Sequence, residues 1–490
     1  MEGLHINRIR SARTQIRKWL SSTRGLWNRW IEQHPGLVKA YTIFSWVALV
    51  VFAVSLIFSE ISRQLLVQYF WSFYILLQFW FLCRSKTFTW KRFMMFFFAG
   101  VWVSIPLTVL STSLVHAVFG GSTMATWSQA GVTPFVEELF KLAPLGIYLF
   151  LSKRRSSLSL TDFILMGGAA GAGFQFAEEV VRRWTTGPSI LGMLFNVFDE
   201  KWELFTWFPG EFHGAPSAYA GHGVVTALIA LSIGLGFRLK RRFGSYAWIL
   251  PGFLFLWGVL DHAVYNGGSG LPDWLEAIHN WLGNGELEKP LLLWGLVLAL
   301  ILDYWALYRV RSELTLLQNE ILVEPFTEFF QPLLALFTNK FRTGYLYAFF
   351  RERRELGFTL LYGNQEGKER IPELRQHTRE IYQSLLILAG VLLLAIGVVD
   401  WTVGAGSLTD ACFSCLFDGL QNWWDNLSWW QKSIVVAGLF AGGLVFVEAG
   451  AAIGFALTAT SLAASGHEIA RNIRDPRRLL SPGGAISLAA

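Results

Sequence analysis

The sequence predicts an all-α, polytopic membrane protein, and three observations carry that expectation. Of the 490 residues, 53% are hydrophobic and only 16% charged, against about 25% charged in ordinary soluble domains, and the mean hydropathy is +0.41. The apolar residues gather in nearly charge-free stretches of roughly 20, each long enough to cross a hydrocarbon layer of about 30 Å. The 23 Trp suit a chain that meets two membrane–water interfaces. A soluble multidomain enzyme, a secreted disulfide scaffold, a disordered tail and a nucleic-acid partner are thereby excluded or made remote.

Residues 1–39 are Arg-rich, carry Trp19, Trp27 and Trp30, and lack the apolar core of a signal peptide; they read as a basic cytoplasmic interfacial helix. Spans follow at about 40–59, 66–83, 93–119, 132–152, 162–181, 218–237, 246–266, 290–310, 381–400 and 433–464. That makes about ten transmembrane helices, with an eight-helix core over 40–310. Lys and Arg concentrate in 1–39, 84–92, 153–161, 238–245 and 466–490, so both termini are expected on the cytoplasmic side. Residues 311–380, with Arg351, Arg353, Arg354, Arg370 and Arg375, read as a cytoplasmic helical insert, 381–464 as two additional spans, and 465–490 as a basic cytoplasmic tail. The outer loops 182–217 and 267–289 are acidic, the first also holding His213. Cys412 and Cys415 fall in the last outer loop as two thiols or a local disulfide.

An ionisable side chain inside a span costs several kcal/mol, so such residues are functional candidates, above all where several share one depth. Four adjacent spans carry them: Glu137, Glu138 and Lys141; Glu178 and Glu179; His222; and Asp261, His262 and Asn266. With alternating topology, all four groups lie within about three turns of the outer surface. Lys141 shares a helix face with Glu137 and Glu138, so it can neutralise one carboxylate and leave the other as a base toward water. The histidines and the Asn266 amide then supply oxyanion donors, or His222, His262 and Glu178 supply the ligands of a zinc ion. Spacing leaves both versions open, and no cofactor follows from it with certainty; a HExxH helix is absent. Gly167 to Gly173, all Gly or Ala, permit close helix approach or room for a water-filled cavity. Asp261 reads as supporting, Glu179 as an interfacial charge, His116 as an interface residue, and Asp303 and Glu448 as partners for basic residues at helix ends.

These motifs carry a resemblance. Glu137-Glu138-Leu139-Phe140-Lys141 is similar to an EExxK motif, Phe174 to Glu178 to FxxxE, His222 to Thr226 to HxxxT, and His262 to Asn266 to HxxxN. In that order on successive spans they resemble the PrsW-family intramembrane proteases, relatives of the type II CAAX prenyl proteases and bacteriocin-processing membrane proteins. The resemblance covers roughly residues 90–270. It implies a protease-like core, hydrolysis of a peptide bond of a membrane-anchored protein, a bacterial plasma-membrane location, and a functional set of Glu137, Glu138, Glu178, His222 and His262 with Asn266 in support. The family pattern has Asn where Glu179 stands, and it has no counterpart to the chain beyond about residue 311. Buried carboxylates and histidines also suit a proton- or ion-coupled transporter, and the same fold without chemistry would serve as a scaffold or receptor. Oligomeric state is not legible.

Overall fold

A computed structural model of the chain describes residues 2–58, 75–123, 125–186, 221–310 and 340–385, together with 72, 73, 328, 331 and 332. Within these residues the chain is helical and contains no strand. The expected spans 381–400 and 433–464, the loop with His213, the Cys412/Cys415 pair, Glu448 and the basic tail lie outside the described residues, apart from 381–385, which are helical.

Helix α1 (Glu2–Gln33) and helix α2 (Pro35–Phe58) are separated by His34 alone. Pro35 brings no N–H to a continuing helix and so ends the first one. The third expected span is a run from Trp90 to Phe119: α3 (Trp90–Ala99), a π-helical turn over Gly100–Ser104, and α4 (Ile105–Phe119). A second π turn, Ser128–Val132, leads into α5 (Thr133–Lys141). Each π turn stops two residues before a proline, Pro106 or Pro134, whose ring cannot share space with the preceding carbonyl turn; the backbone widens there instead.

The expected span 132–152 is not one straight helix. It breaks at Leu142, and α6 (Ala143–Leu151) starts afresh with Pro144 in its first turn. Helix α7 (Leu160–Thr186) is buried on every side from Leu160 to Phe174. Helices α8 (His222–Phe243) and α9 (Ile249–Gly267) form one continuous apolar run but not one rod. Their 40-residue separation would set His222 and His262 about 60 Å apart on a straight helix, yet the two rings lie 5.1 Å apart. Gly244, at φ 58°, makes the reversal. The outer segment expected as a loop at 267–289 contains a short helix, α10 (Asp273–Trp281), before α11 (Glu288–Arg309). Among the described residues, three helical runs are long and apolar enough to cross a membrane: Trp90–Phe119, the hairpin His222–Gly267, and Glu288–Arg309.

The Gly/Ala stretch of α7 is tightly packed at its glycines. A Cβ on Gly167 would overlap the Thr226 carbonyl oxygen, one on Gly171 the His222 carbonyl oxygen, and one on Gly173 the Phe97 carbonyl oxygen. The room left by the missing side chains is filled by the backbones of α8 and α3, the small-residue mode of helix packing in membranes.

The end of this bundle remote from His222 is held by two buried carboxylates. Asp162 accepts from Thr87 N at 2.8 Å, Thr87 Oγ1 at 2.7 Å, Phe88 N at 3.2 Å and Ser159 N at 2.9 Å, while Ser159 Oγ accepts from Asp162 N at 2.9 Å. That reciprocal pair closes the first turn of α7. Asp303 of α11 accepts from Ser85 Oγ at 2.8 Å and Leu160 N at 2.9 Å, and faces Arg238 at 3.5 Å. Asp303 thus pairs with a basic residue at a helix end, as its sequence position suggests. In the insert, α12 (Lys340–Tyr362) and α13 (Gln365–Lys368) dock on this same end. Glu355 pairs with Arg154 and, at 3.0 Å, with Arg370, and the Arg238 guanidinium lies 3.5 Å from the centre of the Tyr362 ring.

Candidate active site

At the other end of α7, about 24 Å from Asp162 by helical rise, the side chains singled out by the sequence converge. Glu138 and Lys141 of α5 are fully buried, and Lys141 Nζ donates to Glu138 Oε1 at 2.7 Å. The same ammonium donates to His222 Nδ1 and lies 3.7 Å from Glu137 Oε2. It also stands 4.5 Å from the centre of the Phe174 ring, whose edge meets the His222 imidazole. With Nδ1 accepting, His222 donates from Nε2 to Glu178 Oε2 at 2.7 Å. His262 donates from Nδ1 to Glu138 Oε1 at 3.1 Å, which turns its Nε2 toward Glu137 Oε2 at 3.6 Å.

Each position has a local cause. His222 is the first residue of α8, and Gly221, at φ 92°, brings the chain into that helix through a conformation that side chains disfavour. The His222 amide donates to Gln175 Oε1 at 3.2 Å, so α7 holds both ends of this residue. Gln175 was not singled out by the sequence reading, although it lies three residues before Glu178 and therefore on the same face. Phe135 of α5 packs edge-on against Phe255 of α9, setting the two helices that carry the carboxylates and His262 against each other.

The remaining sequence candidates fall into place around this group. Glu178 has a side chain 43% exposed and meets the group at His222 Nε2. Glu179, read as an interfacial charge, is instead buried at 8%, because its face of α7 turns into the bundle. Asn266 donates from Nδ2 to the Gln129 carbonyl at 3.3 Å; it secures the π turn ahead of Glu137 and does not meet the histidines. Asp261 lies 3.1 Å from Nε2 of His279 on α10, both buried, so it serves packing of the outer segment. His116 contacts Ser128 Oγ at 2.8 Å and the Trp127 ring, at the edge of the group.

One donor atom from each of Glu137, His222 and His262 lies within 4.8 Å of the others. Glu137 Oε2 is buried and lacks a hydrogen-bond partner. Two imidazoles with one carboxylate are a donor set that suits catalytic zinc, and each histidine gives its second nitrogen to a further carboxylate, Glu178 or Glu138. The residues present therefore fit a divalent ion. The carboxylate that reaches both imidazoles within this distance is Glu137, where the sequence points to Glu178.

The stretch that holds these residues is also the one that matches a known family. Residues 89–302 match the PrsW family intramembrane metalloproteases. The PrsW match begins at the start of α3 and ends within α11, so it contains the whole buried group and leaves residues 1–88 and 303–490 outside. No curated protein and no solved structure matches the chain. The PrsW match supports intramembrane protease activity, a protein substrate and a membrane setting.

Proposed function

We propose that the chain is an intramembrane endopeptidase that cleaves a membrane-anchored protein near the outer face of the bacterial plasma membrane, with both termini cytoplasmic. The observation that carries the reading is the convergence of Glu137, Glu138, Lys141, His222 and His262 from three helices on one buried point. Two further details divide the work between the adjacent carboxylates. Glu138 is fully buried and its Oε1 holds both Lys141 and His262, so Glu138 fixes geometry. Glu137 is 12% exposed, and its Oε2 makes no hydrogen bond and faces His262 Nε2 at 3.6 Å, so Glu137 is the group that takes a proton from attacking water. His262 Nε2 and Lys141 Nζ flank that position, and once protonated or charged they stabilise the oxyanion formed at the scissile carbonyl. Phe174 excludes water beneath Lys141, which strengthens each of these interactions.

A divalent ion held by Glu137, His222 and His262 would supply Lewis-acid activation of the same water. Lys141 shares two of these three partners, so its ammonium and such an ion compete for one position.

The test uses the full chain in lipid nanodiscs with a panel of single-span peptides, comparing wild type with Glu137→Gln and His262→Ala, and metal content measured on the same samples. Cleavage abolished in both variants supports the assignment. Zinc bound by the wild type and lost in His262→Ala selects the metal version; cleavage with no metal selects the glutamate version. A peptide cut equally by all three proteins refutes the site.

A further inference from the structure

We propose that α1 is a binding surface for anionic lipid headgroups, held parallel to the cytoplasmic leaflet with one defined apolar stripe in it. The stripe is Ile16, Trp19, Leu20, Leu26, Trp27 and Trp30, all exposed, with Trp19 at 65%. At 100° per residue these six fall within about 120° of the helix circumference, the width of a single buried face. Trp27 and Trp30 stack at 5.2 Å and Trp30 meets His34 at 4.9 Å, so the wide aromatic edge is ordered along the stripe.

The neighbouring face is already spent on the protein. Arg13 lies over the Phe150 ring at 5.2 Å, and Arg17 donates from Nε to the Leu151 carbonyl at 2.7 Å and from Nη1 and Nη2 to the two carboxylate oxygens of Glu366, at 2.9 and 3.3 Å. These contacts fix the roll of α1 and point the stripe away from the core. On the other flank Lys18 and Arg29 are exposed. Residues 1–39 carry eight Lys and Arg against two carboxylates, Glu2 and Glu32. An apolar face with Trp and Leu beside a basic flank matches the chemistry of an anionic membrane surface.

The chain that follows decides where this surface sits. Past His34, α2 exposes Leu37, Ile43, Phe44, Val47, Val50, Val51 and Val54, an apolar surface suited to acyl chains. With α2 as the first span that the sequence predicts, the end of α1 lies at the level where that span meets the bilayer, and the break at His34 separates the two helices. A stripe at that level meets the headgroup–acyl boundary, where Trp is favoured.

The experiment places a nitroxide at Leu20→Cys or Lys18→Cys in the full chain carrying Cys412→Ser and Cys415→Ser; Cys83 is fully buried and stays in place. Both labelled positions are exposed, so neither substitution removes a packing contact. In nanodiscs of phosphatidylcholine with phosphatidylglycerol, the Leu20 label should collide with oxygen and lose collisions with a water-soluble nickel chelate, while the Lys18 label does the reverse. The contrast should weaken in phosphatidylcholine alone, and with Arg29→Glu added to the Leu20 label. A Leu20 label as open to nickel as Lys18 overturns the proposal. So does a Leu20 label shielded from both agents, since the stripe would then be covered by protein, whether another part of this chain or a second copy. Protection that does not change with anionic lipid overturns the headgroup assignment.

Discussion

Adding a single methyl group at Gly171 tests how the backbone of α7 sets the position of His222. A Cβ there would overlap the His222 carbonyl oxygen and lie 2.8 Å from both the His222 carbonyl carbon and Thr226 Oγ1. Non-bonded carbon contacts are comfortable at about 3.5 Å, so α8 must retreat by about 0.7 Å or more at its first turn. Overpacking of this kind costs about 1–3 kcal/mol of stability. A displacement approaching 1 Å at a catalytic group costs about 10²-fold in rate. Gly171→Ala should therefore lower the thermal midpoint of the full chain in nanodiscs and reduce cleavage by one to two orders of magnitude, roughly. Two controls separate the effects. Gly167→Ala overlaps the Thr226 carbonyl one turn deeper and should cost similar stability with a smaller loss of rate. Gly146→Ala meets nothing within 4 Å and should be neutral or stabilising. Wild-type cleavage by a destabilised Gly171→Ala protein would show that His222 is not positioned by this approach; an unchanged midpoint would show that the helices are not in such contact.

Three further outcomes are expected. Lys141→Met strands the buried Glu138 carboxylate and should cost about 3–5 kcal/mol, while the double variant with Glu138→Gln recovers much of that loss; if an ion competes with Lys141, zinc retained by the single variant, read by mass spectrometry, should rise. Asp303→Leu removes the acceptor of the Leu160 N–H and the counter-charge of Arg238 and should lower the unfolding free energy by about 3–5 kcal/mol, with Asp303→Asn intermediate, both read as thermal midpoints. The Arg17 guanidinium holds the Glu366 carboxyl below its ordinary range. A depressed carboxylate stabilises the folded state above its unfolded pKa, and that contribution is lost as pH falls through its folded pKa. Attachment of α1 should therefore loosen in acid by less than about 1 kcal/mol, since Glu366 is partly exposed; the distance between spin labels on α1 and α13 should lengthen in acid in the wild type and be pH-independent in Arg17→Gln.

The sequence by itself determined the class and singled out the residues of the proposed site. Apolar stretches of membrane length demand helices, because a backbone in lipid must satisfy its own hydrogen bonds. Charged residues in those stretches are costly enough that Glu137, Glu138, Lys141, Glu178, His222 and His262 stood out without coordinates. Periodicity could not show how they divide their roles. Whether Glu137 or Glu178 faces the two histidines, and whether Asn266 meets His262 or the Gln129 carbonyl, depends on rotations and ångström-scale translations of helices distant in sequence. Those were decided by tertiary features with weak local signals: the π turns before Pro106 and Pro134, the break at Leu142, the reversal at Gly244, and the backbone contact at Gly171. The last of these was half legible, since the Gly/Ala stretch foretold close approach but not which backbone atoms would meet each glycine. Hydrophobic patterning says which residues avoid water, whereas a site depends on the direction in which a few polar atoms point, and only packing fixes that direction.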